Sequence, residues 1–172
     1  MRAMRAERIL HPQLARAVAE LGHTDIAMVV DAGFPIPRSV ERIDLGFWPG
    51  LPTVVQVLEV LRRELHVEQV RFAAEVATNN PRFYDQLRGI YTGSGATFAT
   101  VAHEQLIAEV APHAKFIVRS GDLQPWGNVA LTASTDPFAW FTDEAVAAGM
   151  RILPDYVERR RRVSEGEVPS LS

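Results

Sequence analysis

Leu21-Gly22-His23-Thr24-Asp25-Ile26-Ala27-Met28-Val29-Val30-Asp31-Ala32-Gly33 is the stretch on which the fold turns. Ile26–Val30 is an unbroken apolar run, too short for a helix and rich in β-branched residues. That combination predicts a buried strand. Gly22 stops whatever precedes it. Asp31-Ala32-Gly33-Phe34-Pro35-Ile36-Pro37 stops the strand, because each residue before a proline is pushed out of the α region. The strand therefore carries a histidine before one end and a carboxylate beyond the other.

Outward from this strand, the pattern alternates. Pro12–Leu21 places Leu14, Val18 and Leu21 on one helical face, with Pro12 tolerated in the first turn. Val40–Leu45 reads as a short strand and Trp48-Pro49-Gly50-Leu51-Pro52 as a turn. Thr53–Leu65 repeats Val54, Val57, Leu58, Leu61 and Leu65 at helical spacing, with Thr53 as its cap. Val67–Ala74 reads as a strand, Asn80-Pro81 starts a helix through Leu87, and Gly89–Gly95 reads as a loop. Thr100 is expected to cap a helix through Val110. Lys115–Arg119 and Asn128–Leu131 are the last expected strands. Alternating helices and buried strands predict a layered α/β fold.

The chain has 172 residues, 47% of them hydrophobic, enough for one sizeable core. It has no cysteine, which excludes disulfides, thiolate nucleophiles and iron–sulfur ligation. The formal charge of −3 gives no reason to expect a nucleic-acid surface. No apolar run is long enough to span a bilayer. Arg2, Arg5 and Arg8 are not followed by the apolar segment of a secretory signal, so a cytoplasmic protein is expected. From Ser134 onward the composition changes. Phe138, Trp140 and Phe141 are expected to anchor this tail. Arg159–Arg162 reads as a solvated or subunit-contacting run whose field Glu158, Glu165 and Glu167 oppose.

Among the candidates for chemistry, His23 stands out because imidazole is the side-chain type whose intrinsic pKa lies nearest neutral pH, which suits giving and taking a proton. Asp25 or Asp31 is positioned in sequence to orient its ring. Asp31 lies where a strand opens into a loop, a common place for ligand groups, and an Asx-type cap is the competing role. His103 stands near a helix start, as a second polar contact or a capping group. His66, at a helix end, reads as favourable charge there; His11 and His113 are weaker still. Gly121-Asp122-Leu123-Gln124-Pro125-Trp126-Gly127-Asn128 can present a flat indole and a two-sided amide from one turn, a pairing that suits the C–H faces and hydroxyls of a sugar. Ordinary turn chemistry is the alternative. No spacing makes a metal site compelling. The glycine-rich Gly89–Gly95 lacks the phosphate-loop ending, and Ser94 and Ser120 lack a nucleophile elbow.

Taken together, Leu21–Asp25, Asp31–Pro37, Arg42–Leu45, Val101–Glu104, Arg119–Asp122 and Pro125–Asn128 resemble the RbsD/FucU family. The resemblance spans roughly residues 8–133. It implies a single-domain, three-layer α/β sandwich over residues 1–133, with residues 134–172 as a C-terminal extension that covers a neighbouring site, caps an assembly or extends its edge. It implies a cofactor-free and metal-free isomerase that interconverts pyranose and furanose forms of D-ribose or a related monosaccharide. His23 is implied as the acid/base and Asp31, His103, Trp126 and Asn128 as sugar contacts. The resemblance also implies a homo-oligomer of rings stacked into a decamer, with no nucleic-acid or membrane partner. Trp126-Gly127-Asn128 departs from the Tyr-Ala-Asn of the ribose branch. Gly127 resembles the fucose branch, which leaves an anomeric mutarotase, or a sugar-binding subunit without catalysis, as alternatives.

Overall fold

The computed structural model describes residues 8–171. Arg2 and Arg5 lie outside them. In chain order the strands are β1 (Ile26–Val30), β2 (Glu41–Asp44), β3 (Val67–Ala73), β4 (Thr97–Val101), β5 (Ala114–Arg119) and β6 (Val129–Ala133). The helices are α1 (Pro12–Ala19), α2 (Val54–Glu64), α3 (Glu75–Asn79), α4 (Pro81–Tyr91), α5 (His103–Gln105), α6 (Asp143–Ala147) and α7 (Pro154–Ser164). After α5 the chain continues as a π turn, Leu106–Val110, and a 3₁₀ turn, Ala111–His113.

The six strands form one sheet in the order β2-β5-β1-β6-β3-β4. β6 runs antiparallel to both β1 and β3, and every other pairing is parallel. One sheet edge thus gathers the ends of β1, β3, β4 and β5 with the start of β6. The opposite edge gathers the starts of β1 and β3 with the end of β6.

Alternation along β1 sets the layers. Ala27 and Val29 join a core with Leu14 and Ala17 of α1, the buried face of α2, and Phe83, Leu87 and Tyr91 of α4. Met28 and Val30 face the other way, against Phe34, Leu106 and Val110. The result is three layers, helices on both faces of a mixed sheet. α2 has the cap that its sequence predicts: Thr53 Oγ1 accepts from Gln56 N at 3.1 Å, and Thr53 N donates to Gln56 Oε1 at 2.9 Å. Each fully buried Leu or Val on its inner face contributes roughly 1.5–3 kcal/mol.

Three expectations are corrected. Thr100 caps nothing; it lies within β4, and the following helix opens at His103 with Ala102 before it. Phe98 decides this, because it is fully buried edge-on to Phe72 with ring centroids 5.2 Å apart. α4 runs through Gly89 and Ile90 to Tyr91 instead of ending at Leu87. Burial of Tyr91 offsets the roughly 1 kcal/mol that glycine costs in a helix. The tail is anchored chiefly by Tyr156 and Arg159, both buried, whereas Phe138 and Trp140 stay exposed. Phe141 contributes by packing on Tyr156 at 4.8 Å.

Every arginine of the 159–162 run has an internal partner. Arg159 donates to Ser134 Oγ at 2.8 Å, Arg160 to Pro137 O at 2.8 Å and Arg162 to Gly95 O at 3.0 Å. Arg161 pairs with Glu158, Glu165 and Glu167. Among the described residues, no helix is long and apolar enough to cross a membrane.

Tyr91 yields a stability prediction. Its hydroxyl is buried with no hydrogen-bond partner among the described residues, and burial pushes its pKa up. Tyr91→Phe removes an unpaired polar atom without changing the packing. It is expected to raise unfolding free energy by about 1 kcal/mol in urea titrations.

Candidate functional site

The turn before β1 is held from its own carboxylate. Asp25 Oδ2 accepts from Gly22 N at 2.8 Å, and Asp25 Oδ1 lies 3.6 Å from Lys115 Nζ. Backbone bonds from Thr24 N to Ala133 O at 2.9 Å and from Ala133 N to Asp25 O at 2.8 Å tie the turn to the end of β6. Thr24 sits at φ 70°, a conformation rarely adopted by a β-branched residue. Strain of this kind costs of the order of 1–3 kcal/mol and gathers at functional sites. The neighbouring His23 reaches β3, where its Nε2 lies 3.1 Å from Glu68 Oε2.

The structure therefore assigns the ring's carboxylate partner differently from either sequence candidate. Asp25 is occupied by Gly22 and Lys115, and Asp31 lies beyond the far end of β1. Glu68 was not legible as a partner. It stands at the start of β3, and only the non-local β1–β6–β3 register brings it beside His23.

At the other sheet edge, Asp31 and Asn128 lock together. Asn128 Oδ1 accepts from Asp31 N at 3.0 Å, and Asn128 Nδ2 donates to Asp31 Oδ2 at 2.9 Å. Asp31 Oδ1 accepts from Gly33 N at 2.8 Å, so the Asx-type cap is present together with the amide pairing. Asn128 is buried. Trp126, two residues earlier, is half-buried against the α2–α4 core and takes φ 56°, the second non-glycine residue with positive φ. Gly127 has a local reason: a Cβ there would meet Gln124 Cγ at 2.8 Å.

Asp122 holds this edge in place. Its buried carboxylate accepts from Val54 N at 2.9 Å, Gln124 N at 3.0 Å and Gln124 Nε2 at 2.9 Å, and its carbonyl accepts from Ala32 N at 2.8 Å. One residue thus fixes the α2 N-terminus, the Trp126 turn and the Asp31 loop. Asp122→Asn turns one acceptor into a donor facing N–H groups. It is expected to cost about 2–3 kcal/mol by chemical denaturation.

His103 opens α5 at this same edge. Its Nδ1 is buried without a hydrogen-bond partner among the described residues, as is Glu75 Oε2 just past β3. Neither His103 nor Trp126 hydrogen-bonds to Asp31 among the described residues. Asp31, Trp126, Asn128 and His103 thus share one edge, and His23 stands at the other. The remaining histidines have structural or surface places. His11 Nδ1 caps α1 by accepting from Leu14 N at 3.2 Å, His66 O accepts from Ser134 N at 2.9 Å, and His113 is exposed. Among the described residues, no group of three or more His, Asp or Glu is placed to hold a metal ion.

Beside Ala32, a cleft of about 190 Å³ is lined by Phe47, Trp48, Arg119 and Leu123. Phe47, Trp48 and Leu123 are 85%, 67% and 69% exposed, an apolar rim next to the Asp31 loop.

Known proteins resemble this chain in sequence and in fold. The profile of the RbsD / FucU transport protein family matches residues 4–135. D-ribose pyranase 1 of Streptomyces griseus is 43% identical over 143 residues, covering 83% of this chain and 93% of that protein. D-ribose pyranase 2 of Rubrobacter xylanophilus is 39% identical over 157 residues, covering 91% and 97%. The solved structure of Bacillus subtilis RbsD complexed with D-ribose is similar over 77% of this chain and 99% of its own, with a TM-score of 0.72 at 34% identity. With its profile matched across most of its length and relatives this similar, the chain belongs to the RbsD/FucU family.

Proposed function

We propose that this chain, a sugar isomerase at the level of its family, interconverts the pyranose and furanose forms of D-ribose by proton transfer at His23. The observation that carries the reading is the reciprocal Asp31–Asn128 pair at the end of the central strand. The carboxylate has about four lone-pair sites, and Gly33 N and Asn128 Nδ2 use two of them. The others, with the second amide N–H of Asn128, are suited to neighbouring sugar hydroxyls. His103 Nδ1 and Glu75 Oε2, buried at the same edge, are further polar atoms for such a ligand. The curated relatives named D-ribose pyranase and the D-ribose complex of the Bacillus subtilis protein support this substrate.

His23 reaches that edge only from another copy. β1 has five residues, about 16 Å of strand, between the two edges. A site made from opposite ends of one molecule needs a head-to-tail contact, and repeated contacts of that kind close into rings. The exposed Phe47, Trp48 and Leu123 rim supplies apolar surface for the contact. The expected assembly is the decamer of two stacked rings.

In this site, His23 of one copy serves the sugar held by Asp31, His103, Trp126 and Asn128 of the next. The C1–O5 bond of the pyranose breaks, the ring oxygen takes a proton and the anomeric hydroxyl loses one, giving the open aldehyde. O4 then adds to C1 and loses its proton as the carbonyl oxygen gains one. Protons balance over the cycle, so one imidazole can serve both steps, directly or through water. Saturation-transfer NMR on D-ribose with purified protein tests the proposal. Faster pyranose–furanose exchange is expected. Acceleration of α–β anomer exchange alone would instead select the mutarotase reading, and binding without any acceleration would overturn catalysis.

A further inference from the structure

The part of the chain beyond the family match does something specific to His23. The match ends at residue 135. Past it, α7 packs back on the body at Gly95, where an added Cβ would lie 2.8 Å from Val163 Cγ2 and 3.0 Å from Arg159 O. Gly93 N donates to Glu167 O at 2.9 Å, and Leu171 bridges to Phe98. Held this way, the arm brings two aromatic rings to His23. Trp140 stands edge-on to the imidazole at 5.9 Å between centroids, and Tyr156 at 6.5 Å. Tyr156 is fixed by its hydroxyl, 2.9 Å from Thr135 Oγ1, and by the Arg159 guanidinium over its ring at 5.5 Å. Arg159 is buried, with its Nε unpartnered among the described residues. Burial lowers its pKa, and the charge of Glu68 acts against that effect, which places the two groups in one electrostatic neighbourhood.

We infer that Glu68 and the C-terminal arm position the His23 imidazole: Glu68 accepts a hydrogen bond from Nε2–H, Trp140 and Tyr156 wall the ring, and Nδ1 is left to exchange protons with the sugar. The inference rests on the proposed role of His23. A carboxylate only accepts hydrogen bonds, so the 3.1 Å contact requires the proton on Nε2. Nδ1 has no hydrogen bond among the described residues. Which nitrogen works is therefore set by Glu68, and how firmly the ring holds its angle is set by the arm. Glu68 touches no reacting atom in this account; it acts through His23.

The test has one readout that needs no sugar. In the full chain, two-bond ¹H–¹⁵N correlation spectra of the histidine rings near neutral pH report the tautomer of neutral His23. The Nε2–H form is expected in the unmodified protein. Glu68→Ala is expected to relax that bias so that the Nδ1–H form appears beside it, and Glu68→Gln, which keeps an acceptor oxygen, to retain most of it. Trp140→Ala, at an exposed position, is expected to move the His23 ring-proton resonances, because it removes the ring current of the edge-on indole. In the ribose-exchange assay, Glu68→Ala is expected to lower kcat on the order of tenfold with KM nearly unchanged. Glu68→Gln is expected to recover most of that loss.

An Nδ1–H tautomer in the unmodified protein, or an unchanged tautomer ratio after Glu68→Ala, overturns the inference. Unmoved His23 resonances in Trp140→Ala overturn the part assigned to the arm. If the unmodified protein accelerates no sugar exchange while the tautomer behaves as expected, the proposed reaction fails and the positioning stands.

Discussion

Chains carrying His23→Ala and chains carrying Asp31→Ala, each nearly inactive alone, are expected to recover ribose exchange when assembled together. The reason is the separation of the two groups by the length of β1. If each site takes His23 from one copy and Asp31 from the next, random mixing of equal amounts leaves about a quarter of the sites with both native residues. Recovered activity should therefore approach about a quarter of that of the unmodified protein. His23→Ala alone should fall at least about a hundredfold, the usual lower range for loss of a positioned acid or base, and Asp31→Ala by a similar factor because the sugar loses the group that orients it. The measurement is saturation-transfer NMR on co-expressed chains, with sedimentation to establish that the assemblies are mixed. Mixed assemblies without recovery would mean that the two residues do not meet across copies.

Gly121→Ala should be the most damaging of the glycine-to-alanine changes. A Cβ at this position would lie 2.4 Å from the carbonyl oxygens of both Trp48 and Leu51. Both obstacles are backbone, so no side chain can swing aside. The same segment is clamped by Gly50 N donating to Gly121 O at 2.6 Å and Gly121 N donating to Pro52 O at 2.8 Å. Admitting the methyl group means undocking the 46–52 loop and moving the turn that carries Asp122. A loss of about 3–5 kcal/mol is expected from overpacking combined with broken buried hydrogen bonds. Gly89→Ala is the control. Gly89 lies inside α4 with nothing within 4 Å of an added Cβ, so that change should stabilise the protein by up to about 1 kcal/mol. Urea unfolding of both variants measures the contrast.

The central strand could be read from its residues because burial on both faces leaves a signature that needs no partner: Ile26–Val30 is apolar without interruption. The capped helix from Thr53 was equally legible, since its capping box and its repeat are both local. β4 was not. Thr97-Phe98-Ala99-Thr100-Val101 is an outermost strand of the sheet, its residues are only partly buried apart from Phe98, and a threonine before a polar turn also fits a helix cap. What makes it a strand is pairing with β3, some thirty residues earlier in sequence. The candidate site divides along the same line. Asp31 and Asn128 sit in punctuated turns that identify themselves, although their mutual pairing across 97 positions does not. Glu68 looks like one charged residue among many, and the buried Arg159 was hidden in a run that reads as a solvated charge cluster. Gly127, which pointed toward the fucose branch, has its explanation in packing against Gln124.

If copies of this chain assemble head to tail, the reversed direction of β6 bears on every site of the assembly. β6 begins beside the Asp31 loop, follows Asn128, and ends at Ala133, which holds the turn carrying His23. Two hydrogen-bonded strands, β1 and β6, thus fix both polar ends of each copy in one inextensible unit. If neighbouring copies share sites, this unit sets the interval from one reaction centre to the next around the ring. A change that shifts the β1–β6 register would then misplace parts of two centres at once.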